Sequence, residues 1–259
     1  MILSRRAFLN FSTSAAILTL ESNVTQAVAR ATGERPETAP RSKPPAVVLP
    51  PGYRRPGDMK WGWGPGDDGV LPDWSGGSGT HFDPKLINWN ADKSATLSLE
   101  NDNGTWRSGE LQVNRPKRPI KERWGGMLSS ERPGAVCTLF AFASDGTEID
   151  FEWRGDQVWQ LNLHLFDAQG KRINPSPVPT VSVDIEKVHT YEFSIDDEAC
   201  RWFIDNKEVA KVTPAEMPGA IWKPQAEFGL FTSVEHHGAW ARHNYADLPA
   251  TMTVHGLLA

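Results

Sequence analysis

The chain has 259 residues, with 27 Lys and Arg against 32 Asp and Glu, a formal net charge of −5. This length allows one or two domains, and an acidic balance without a long basic run argues against nucleic acid or an anionic membrane as the main partner. Two cysteines are too few for a disulfide framework, whereas 11 tryptophans need either a core or a flat apolar ligand to cover their rings.

Residues 1–31 have the composition of an export signal. Arg5 and Arg6 precede an apolar stretch that runs to Leu20 and is too short and too polar to span a bilayer. Residues 4–9 resemble a twin-arginine signal, which exports folded proteins; an ordinary secretory signal with two chance arginines is the alternative. Either interpretation predicts a periplasmic or secreted protein with no membrane anchor once the signal is removed.

Residues 32–58 form a proline-rich segment. It contains seven prolines and almost no apolar periodicity. Such a segment buries too little apolar surface to offset its ordering entropy. We expect a linker or a disordered tail here, followed by one domain over residues 59–259.

The domain that begins at Met59 has the pattern of an all-β protein. Short apolar runs are separated by Gly, Pro, Asn and Asp about every ten residues, which is typical of a sandwich or barrel. Asp205 and Asn206 separate two such runs and predict a hairpin turn. The clearest predicted strands are Ala95–Leu99, Ala135–Phe142, Glu148–Trp153, Val158–Leu165, His189–Ile195, Cys200–Ile204 and Glu227–Thr232.

One predicted strand alternates acidic and apolar residues. Its period of two places Glu148, Asp150 and Glu152 on one face. On a curved strand, the two Glu carboxyls could lie about 5–6 Å apart, close to the separation in a retaining glycosidase. Asp150 could share a proton with a neighbour, so that one acid stays protonated while another is ionised. The alternatives are a solvated strand face and a site for a hard cation.

These acids and several blocks around them resemble glycoside hydrolase family 16, the group of β-glucanases, laminarinases and lichenases. Residues 148–152 are similar to the family signature E-I-D-x-E, and residues 106–111 to its S-G-E strand. Residues 124–127 resemble an aromatic-Gly segment, and residues 188–209 resemble the block F-H-T-Y-x-F … I-R-W-Y-V-D-G-K-E-V. The resemblance implies an all-β jelly-roll sandwich, similar to concanavalin A, with a carbohydrate-binding cleft on its concave face.

The resemblance also implies a reaction. Glu148 would be the nucleophile, Glu152 the general acid/base, and Asp150 a supporting group between them. The enzyme would be a retaining endo-β-glycanase that acts on a β-glucan or a related bacterial exopolysaccharide. It would need no metal or organic cofactor, although some family members carry a structural calcium. We expect it to act as a monomer.

Five further residues are candidates for contacts with the polysaccharide. Glu110, Asn162 and His164 match positions that contact substrate in the family. Trp124 and Trp240 are candidates for stacking on sugar rings, because the apolar face of a pyranose fits an indole.

Two segments depart from the lichenase-like pattern and limit the prediction of substrate. Residues 145–147 replace a Trp just before the acids, and residues 229–233 replace an N-L-W segment. Specificity for β-1,3/1,4-glucan is therefore less secure than the type of reaction. Two other functions remain open, a transglycosylase that uses the same site and a sandwich that binds carbohydrate without catalysis.

The sequence also contains a cluster of potential metal ligands and two cysteines that could form a disulfide. Residues 235–237 and His243 do not have the spacing of a standard zinc motif, so we predict no metal site. Cys137 is predicted on one strand and Cys200 at the start of another. Export permits a disulfide, but the sequence does not decide whether they pair.

Overall fold

The structure is a computed structural model that describes residues 46–75, 79–120, 122–132, 135–155, 158–240 and 248–259. The predicted export signal, residues 32–45 of the proline-rich segment and His243 lie outside these residues. Within the described residues the chain forms seventeen strands and four short 3-10 helices, and none of the helices is long and apolar enough to cross a membrane.

The bounds of these elements are as follows. The strands are β1 Trp74–Ser75, β2 Thr80–Phe82, β3 Ile87–Trp89, β4 Ala95–Asp102, β5 Thr105–Ser108, β6 Glu110–Arg118, β7 Trp124–Arg132, β8 Val136–Ala143, β9 Glu148–Trp153, β10 Val158–Phe166, β11 Arg172–Ile173, β12 Thr180–Ser182, β13 His189–Ile195, β14 Cys200–Ile204, β15 Lys207–Val212, β16 Phe228–Glu235 and β17 Ala250–Leu258. The 3-10 helices are Pro56–Asp58, Pro84–Leu86, Pro214–Glu216 and Gly238–Trp240.

The described strands form two sheets. The ten-stranded sheet has the order β1-β2-β5-β4-β17-β7-β13-β14-β15, with β3 paired to β4. The seven-stranded sheet has the order β11-β10-β9-β8-β16-β6, with β12 paired to β10. All pairs are antiparallel except β2 with β5. Strand β9 is therefore central in its sheet, with β8 on one side and β10 on the other.

The strands and the turn predicted from sequence are confirmed. Each of the seven predicted strands overlaps an observed one, and the bounds differ by at most three residues. Asp205 and Asn206 connect β14 to β15 with φ values of 49° and 65°. Two successive positive φ angles match the right-handed twist of a hairpin, and Asn and Asp tolerate them.

The core lies between the two sheets and is built by period-2 alternation. Phe151 of β9 packs against Tyr191 and Phe193, which come from β13 of the other sheet, and Trp153 of β9 belongs to the same core. Trp202 of β14 is fully buried, and its Nε1 donates a hydrogen bond of 3.0 Å to the backbone oxygen of Asp150. Each large side chain buried here contributes about 1.5–3 kcal/mol of hydrophobic stabilisation.

The last part of the segment predicted as a linker packs on the ten-stranded sheet. Tyr53 is buried, and its hydroxyl donates to Glu192 Oε1 at 2.8 Å. The backbone of Arg54 exchanges two hydrogen bonds of 2.9 Å with Leu257 of β17. Residues 50–58 therefore belong to the folded body, because one aromatic ring and a stretch of paired backbone outweigh the low apolar content of the segment.

Candidate active site

The three acids of β9 share one face, which we call the acid face: the side of the seven-stranded sheet that bears Glu148, Asp150 and Glu152. Ile149 and Phe151 point from the same strand into the core. The residues between them must therefore point to the opposite side. Glu148 is 6% exposed and Asp150 is fully buried, whereas Glu152 is partly exposed. The acid trio thus lies in the middle of the sheet, largely shielded from solvent.

Asp150 is paired with a histidine from the neighbouring strand. His164 Nε2 lies 3.2 Å from Asp150 Oδ2, and His164 Nδ1 lies 2.6 Å from Asn174 Oδ1. An amide oxygen only accepts, so the Nδ1 proton of a neutral His164 points to Asn174. Nε2 is then available to share a proton with Asp150. Asp150 and His164 can together hold a proton between the two glutamates.

Glu152 has a neutral amide as partner. Asn162 Nδ2 donates to Glu152 Oε2 at 2.5 Å. Asn162 stands directly opposite Asp150 in the β9–β10 ladder, and His164 stands opposite Glu148. Asn162 and His164, both predicted from the sequence, are thus brought to the acids by the register of one hairpin.

Glu148 has a cationic neighbour. The Arg172 Nη2 atom lies 3.9 Å from Glu148 Oε2, and the Arg172 side chain is about one third exposed. Arg172 belongs to β11, which pairs with the end of β10 at the edge of the sheet. A guanidinium at this distance favours the ionised form of a carboxylate.

An apolar floor adjoins the acids on the acid face. Phe140 lies opposite Asp150 and Phe142 opposite Glu148 in the β8–β9 ladder. Phe231 of β16 lies opposite Phe140, with ring centroids 4.9 Å apart and nearly parallel planes, and it meets Phe142 edge to face. Phe140 and Phe231 are buried, whereas Phe142 is partly exposed, so Phe142 is the ring of these three that can offer apolar surface to the C–H face of a sugar.

A second acidic cluster lies on the same face at the far side of the sheet. Ser233 of β16 donates to Glu235 Oε1 at 2.6 Å, and Glu235 Oε2 lies 3.2 Å from His237 Nε2. Glu110 of β6 stands opposite Ser233 and accepts a hydrogen bond of 2.6 Å from Gln112. Glu110 and Glu235 are both buried.

This second cluster is aligned with the acid trio. Ser233 stands opposite Thr138, which stands opposite Glu152. At about 4.8 Å per strand, three steps place the Cα of Glu110 roughly 14 Å from that of Glu152. Glu110, predicted as a substrate contact, therefore lies on the acid face but well away from the acid trio.

The two predicted stacking tryptophans have different positions. Trp240 packs against Arg154, whose guanidinium lies 5.6 Å from its ring centroid, and against His237 at 5.1 Å. Arg154 directly follows β9, so Trp240 lies near the Glu152 end of the acid strand. Trp124 instead lies in the ten-stranded sheet, 5% exposed and within the core.

The predicted substrate contact of Trp124 is therefore corrected. Trp124 stands directly opposite Phe193 of β13, whose ring points into the core, so Trp124 shares that inward face. The structure does not bring Trp124 to the acid face.

Potential metal ligands and the cysteines can also be placed. Glu148, Asp150 and His164 each offer one ligand atom within 4.8 Å of the others, and they are the one such group among the described residues. Cys137 and Cys200 are both free and buried, and burial raises the pKa of the Cys137 thiol to about 12. Neither cysteine lies on the acid face, because both belong to the core.

The sequence of residues 90–247 matches the model of the family described as Glycosyl hydrolases family 16. The chain belongs to this family. The matched segment contains the acid strand and its partners from β8, β10 and β11. As a family 16 member the chain is a glycoside hydrolase. No curated protein sequence matches it significantly.

Solved structures of similar fold support the architecture. A β-glucanase of Bacillus licheniformis superposes with a TM-score of 0.61 at 15% identity, over 80% of this chain and 96% of that one. A laminarinase from Flavobacterium sp. UMI-01 gives 0.60 at 13% identity, over 74% and 93%. A laminarinase from Rhodothermus marinus gives 0.59 at 15% identity, over 73% and 88%. The predicted jelly-roll sandwich is confirmed for this family 16 chain.

Sequence reasoning missed several residues of the site. Arg172 lies beside Glu148, Asn174 contacts His164 and Phe231 packs on Phe140, and the sequence assigned none of them to the site. The alternation of β8 could have indicated Phe140 and Phe142, since they share a face of a strand next to the acids. Glu235 and His237 were considered only as metal ligands.

Proposed function

We propose that this family 16 chain is an exported, retaining endo-β-glycanase that hydrolyses a β-glucan or a related exopolysaccharide. The observation that carries the proposal is the acid trio: three carboxylates on one face of a central strand, each with a different partner. A laminarinase and a β-glucanase among the similar structures support a glucan as substrate. The polymer would lie across the acid face, in a cleft formed above it.

The reaction would proceed in two displacements. Glu148 attacks the anomeric carbon while Glu152 donates its proton to the departing glycosidic oxygen, which leaves a glycosyl ester on Glu148. Glu152, now ionised, removes a proton from water, and the hydroxyl oxygen attacks the anomeric carbon. The ester bond to Glu148 breaks, and the product keeps the configuration of the substrate.

The partners of the acids suit these roles. Arg172 favours an ionised Glu148, the state required of a nucleophile. Asp150 and His164 share a proton between the glutamates, so that the trio need not carry three negative charges. The partly exposed ring of Phe142, which stands opposite Glu148, offers an apolar surface to a sugar beside the point of cleavage.

Kinetics of two single variants test the assignment of roles. Glu148→Ala and Glu152→Ala should each lower kcat on polysaccharide by about 10³-fold or more, since each removes one chemical step. Azide should restore turnover of an activated aryl β-glycoside in both. We expect the α-glycosyl azide from Glu148→Ala, in which azide replaces the nucleophile, and the β-glycosyl azide from Glu152→Ala, in which azide attacks the glycosyl ester.

The control variant is Glu227→Ala, which removes an exposed glutamate just before β16. It should retain full activity. The same azide anomer from both active-site variants would refute the assignment.

Incubation with a panel of polysaccharides distinguishes the three candidate functions. New reducing ends would indicate hydrolysis, and redistributed chain lengths with a constant number of reducing ends would indicate transglycosylation. Tight binding without either change would indicate a lectin.

Export can be tested separately from catalysis. The basis is the arginine pair at residues 5–6, followed by an apolar stretch. Replacing both arginines with lysine should leave the protein in the cytoplasm of a bacterial host, while the unchanged chain reaches the periplasm or medium. Equal export of both would favour an ordinary secretory signal.

A further inference from the structure

A pocket of about 810 Å³ opens on the opposite side of the sandwich from the acids. Tyr191 and Phe193 of β13 point into the core, so Thr190 and Glu192, which line the pocket, point outward from the ten-stranded sheet. The acid face is the outward side of the other sheet. The pocket, which we call the outer pocket, is therefore separated from the candidate active site by the whole core.

The floor of the outer pocket is a buried carboxylate with two fixed donors. Glu192 is 9% exposed. Its carboxylate accepts one hydrogen bond from the Tyr53 hydroxyl at 2.8 Å and another from Arg123 Nη1 at 3.2 Å. Burial and the neighbouring Glu192 raise the pKa of Tyr53, so its hydroxyl remains a donor at any physiological pH. These groups are held in place before any ligand arrives.

Arg123 is fixed on two further sides. Its guanidinium carbon lies over the Phe203 ring, 3.6 Å from the centroid, and Nη1 also donates a hydrogen bond to the Asn206 side chain. Asn206 is held in turn by the tight β14–β15 turn, where its φ is 65°. The wall of the pocket therefore consists of planar polar groups in fixed orientations, which reduces the entropy that binding would cost.

The charges of the outer pocket favour an uncharged ligand. Its lining contains Glu122, Glu192 and Asp205 but only one arginine, and that arginine is already paired with Glu192. Asp205 is itself paired with His189 at 2.6 Å. Among the lining residues that the structure describes, no unpaired positive charge remains to hold an anion, and two of the three carboxylates are already engaged by cationic or donor groups.

The remaining lining supplies apolar surface beside these polar groups. Residues 50–51, both proline, and Leu258 form one edge of the pocket. Hydroxyl groups of a sugar pair well with amide, carboxylate and guanidinium groups, while its C–H faces rest on apolar side chains. The volume is within the range of small-molecule sites, about 300–1,000 Å³, and leaves room for more than one sugar ring.

We propose that the outer pocket is a second saccharide site, which holds uncharged sugar units of the polysaccharide that the acid face cleaves. The inference rests on the proposed function, since the ligand is a distant part of the same polymer or a neighbouring chain of it. Two sites on opposite faces of one molecule raise the apparent affinity for a long polymer without changing the chemistry at either site.

A pair of double variants tests the proposal in the full exported chain with Glu148→Gln added, so that the polymer is not degraded. Glu122→Ala with Asn206→Gly removes two polar groups of the outer pocket, and glycine keeps the positive φ of the turn. The control is Glu100→Ala with Asn103→Gly, where Asn103 also has a positive φ, of 51°, in another hairpin. Neither control residue lines the pocket.

The main measurement is retention in native gels that contain the neutral polysaccharide cleaved by the unchanged enzyme, chosen from laminarin, lichenan and a neutral galactan. We expect about fivefold weaker retention of the pocket variant than of the control, because the pocket variant loses one or two hydrogen bonds to the sugar. With Glu148 restored, both double variants should cleave a short oligosaccharide at the same rate. A carboxymethylated form of the polymer should be retained less than the neutral form.

Failure of this proposal is distinguishable from failure of the proposed function. If the polymer is cleaved normally and both double variants are retained equally, the second site is refuted and the hydrolase is not. Stronger retention of the carboxymethylated polymer through the pocket would also refute it. If no polysaccharide is cleaved or retained by any form of the protein, both proposals fail.

Discussion

The indole of Trp202 connects the ten-stranded sheet to the acid strand, and its replacement by phenylalanine is the most direct test of how the core holds the site. Trp202 is fully buried, and its Nε1 donates to the backbone oxygen of Asp150 at 3.0 Å. Losing that bond costs about 0.5–1.5 kcal/mol. The smaller ring leaves a cavity of about 40 Å³, which costs about 1 kcal/mol more. We therefore expect Trp202→Phe to lower the free energy of unfolding by about 2 kcal/mol.

A matched control separates this effect from the loss of any indole hydrogen bond. Trp222 Nε1 donates to the backbone oxygen of Asp196 at 2.7 Å, but its side chain is only partly buried. Water can replace both the bond and the lost ring edge there. Trp222→Phe should lower the free energy of unfolding by less than about 1 kcal/mol, because substitutions at partly exposed sites destabilise less than substitutions in the core.

The assay is urea unfolding of both variants, followed by fluorescence and circular dichroism, with the slope m unchanged. For a body of this size, 2 kcal/mol corresponds to a decrease in Tm of about 4–8 °C. We also expect kcat to fall with little change in KM for Trp202→Phe, since the bond ends on the backbone of the acid strand. Equal losses of stability in the two variants would refute the argument that Trp202 holds Asp150 in place through the core.

Four smaller predictions concern single groups. Asn162→Ala removes the donor to Glu152 and should lower kcat/KM about 10- to 100-fold; a change below twofold would contradict it. Cys137 and Cys200 should not react with Ellman's reagent at pH 8 until the protein is denatured, when two thiols appear; one disulfide by mass spectrometry would contradict it. The hydrogen bond from Arg54 holds the pKa of Asp68 below its usual range. The ionised Asp68 therefore stabilises the fold above about pH 4, and this contribution is lost as the pH falls through the lowered pKa of Asp68. Asp68→Asn should therefore lower Tm at pH 7, and the difference in Tm from the unchanged protein should disappear in acid. A difference in Tm that does not depend on pH would contradict this. EDTA should leave hydrolysis unchanged, and a loss restored by a divalent cation would contradict a reaction that needs no metal.

The parts of the site that lie on one strand or one hairpin could be predicted from the sequence. The alternation of residues 148–153 is a local signal, since period-2 geometry places every second side chain on the same face. The next strand follows after a short connection, so Asn162 and His164 come into register with Asp150 and Glu148. The family resemblance adds roles to these positions but is not needed to bring them together.

The parts that depend on pairing between distant segments could not be predicted. Strand β16 lies between β6 and β8, and this order brings Phe231 and Glu235 to the acid face. Nothing in the sequence of β16 indicates its neighbours, because register across long separations is set by the whole core. The inward orientation of Trp124 likewise depends on the pairing of its strand with β13, which lies far along the chain. The burial of Tyr53 depends likewise on Glu192, which is 139 residues away in the chain.

The partners of the acid trio explain how three carboxylates on one strand can be stable and still take the different roles proposed for them. Like charges so close would repel one another, and the repulsion must be offset. The structure provides a guanidinium beside one acid, an imidazole beside the next and an amide beside the third, in the pairs Arg172–Glu148, His164–Asp150 and Asn162–Glu152. A cation favours a permanently ionised nucleophile, and an imidazole can share the proton of a supporting acid. A neutral amide offers both a donor and an acceptor, so it can serve an acid/base that must lose and regain its proton in every cycle. The order of partners along the strand therefore matches the order of the proposed roles, and changing a partner, for example by Asn162→Asp beside Glu152, should impair catalysis more than stability.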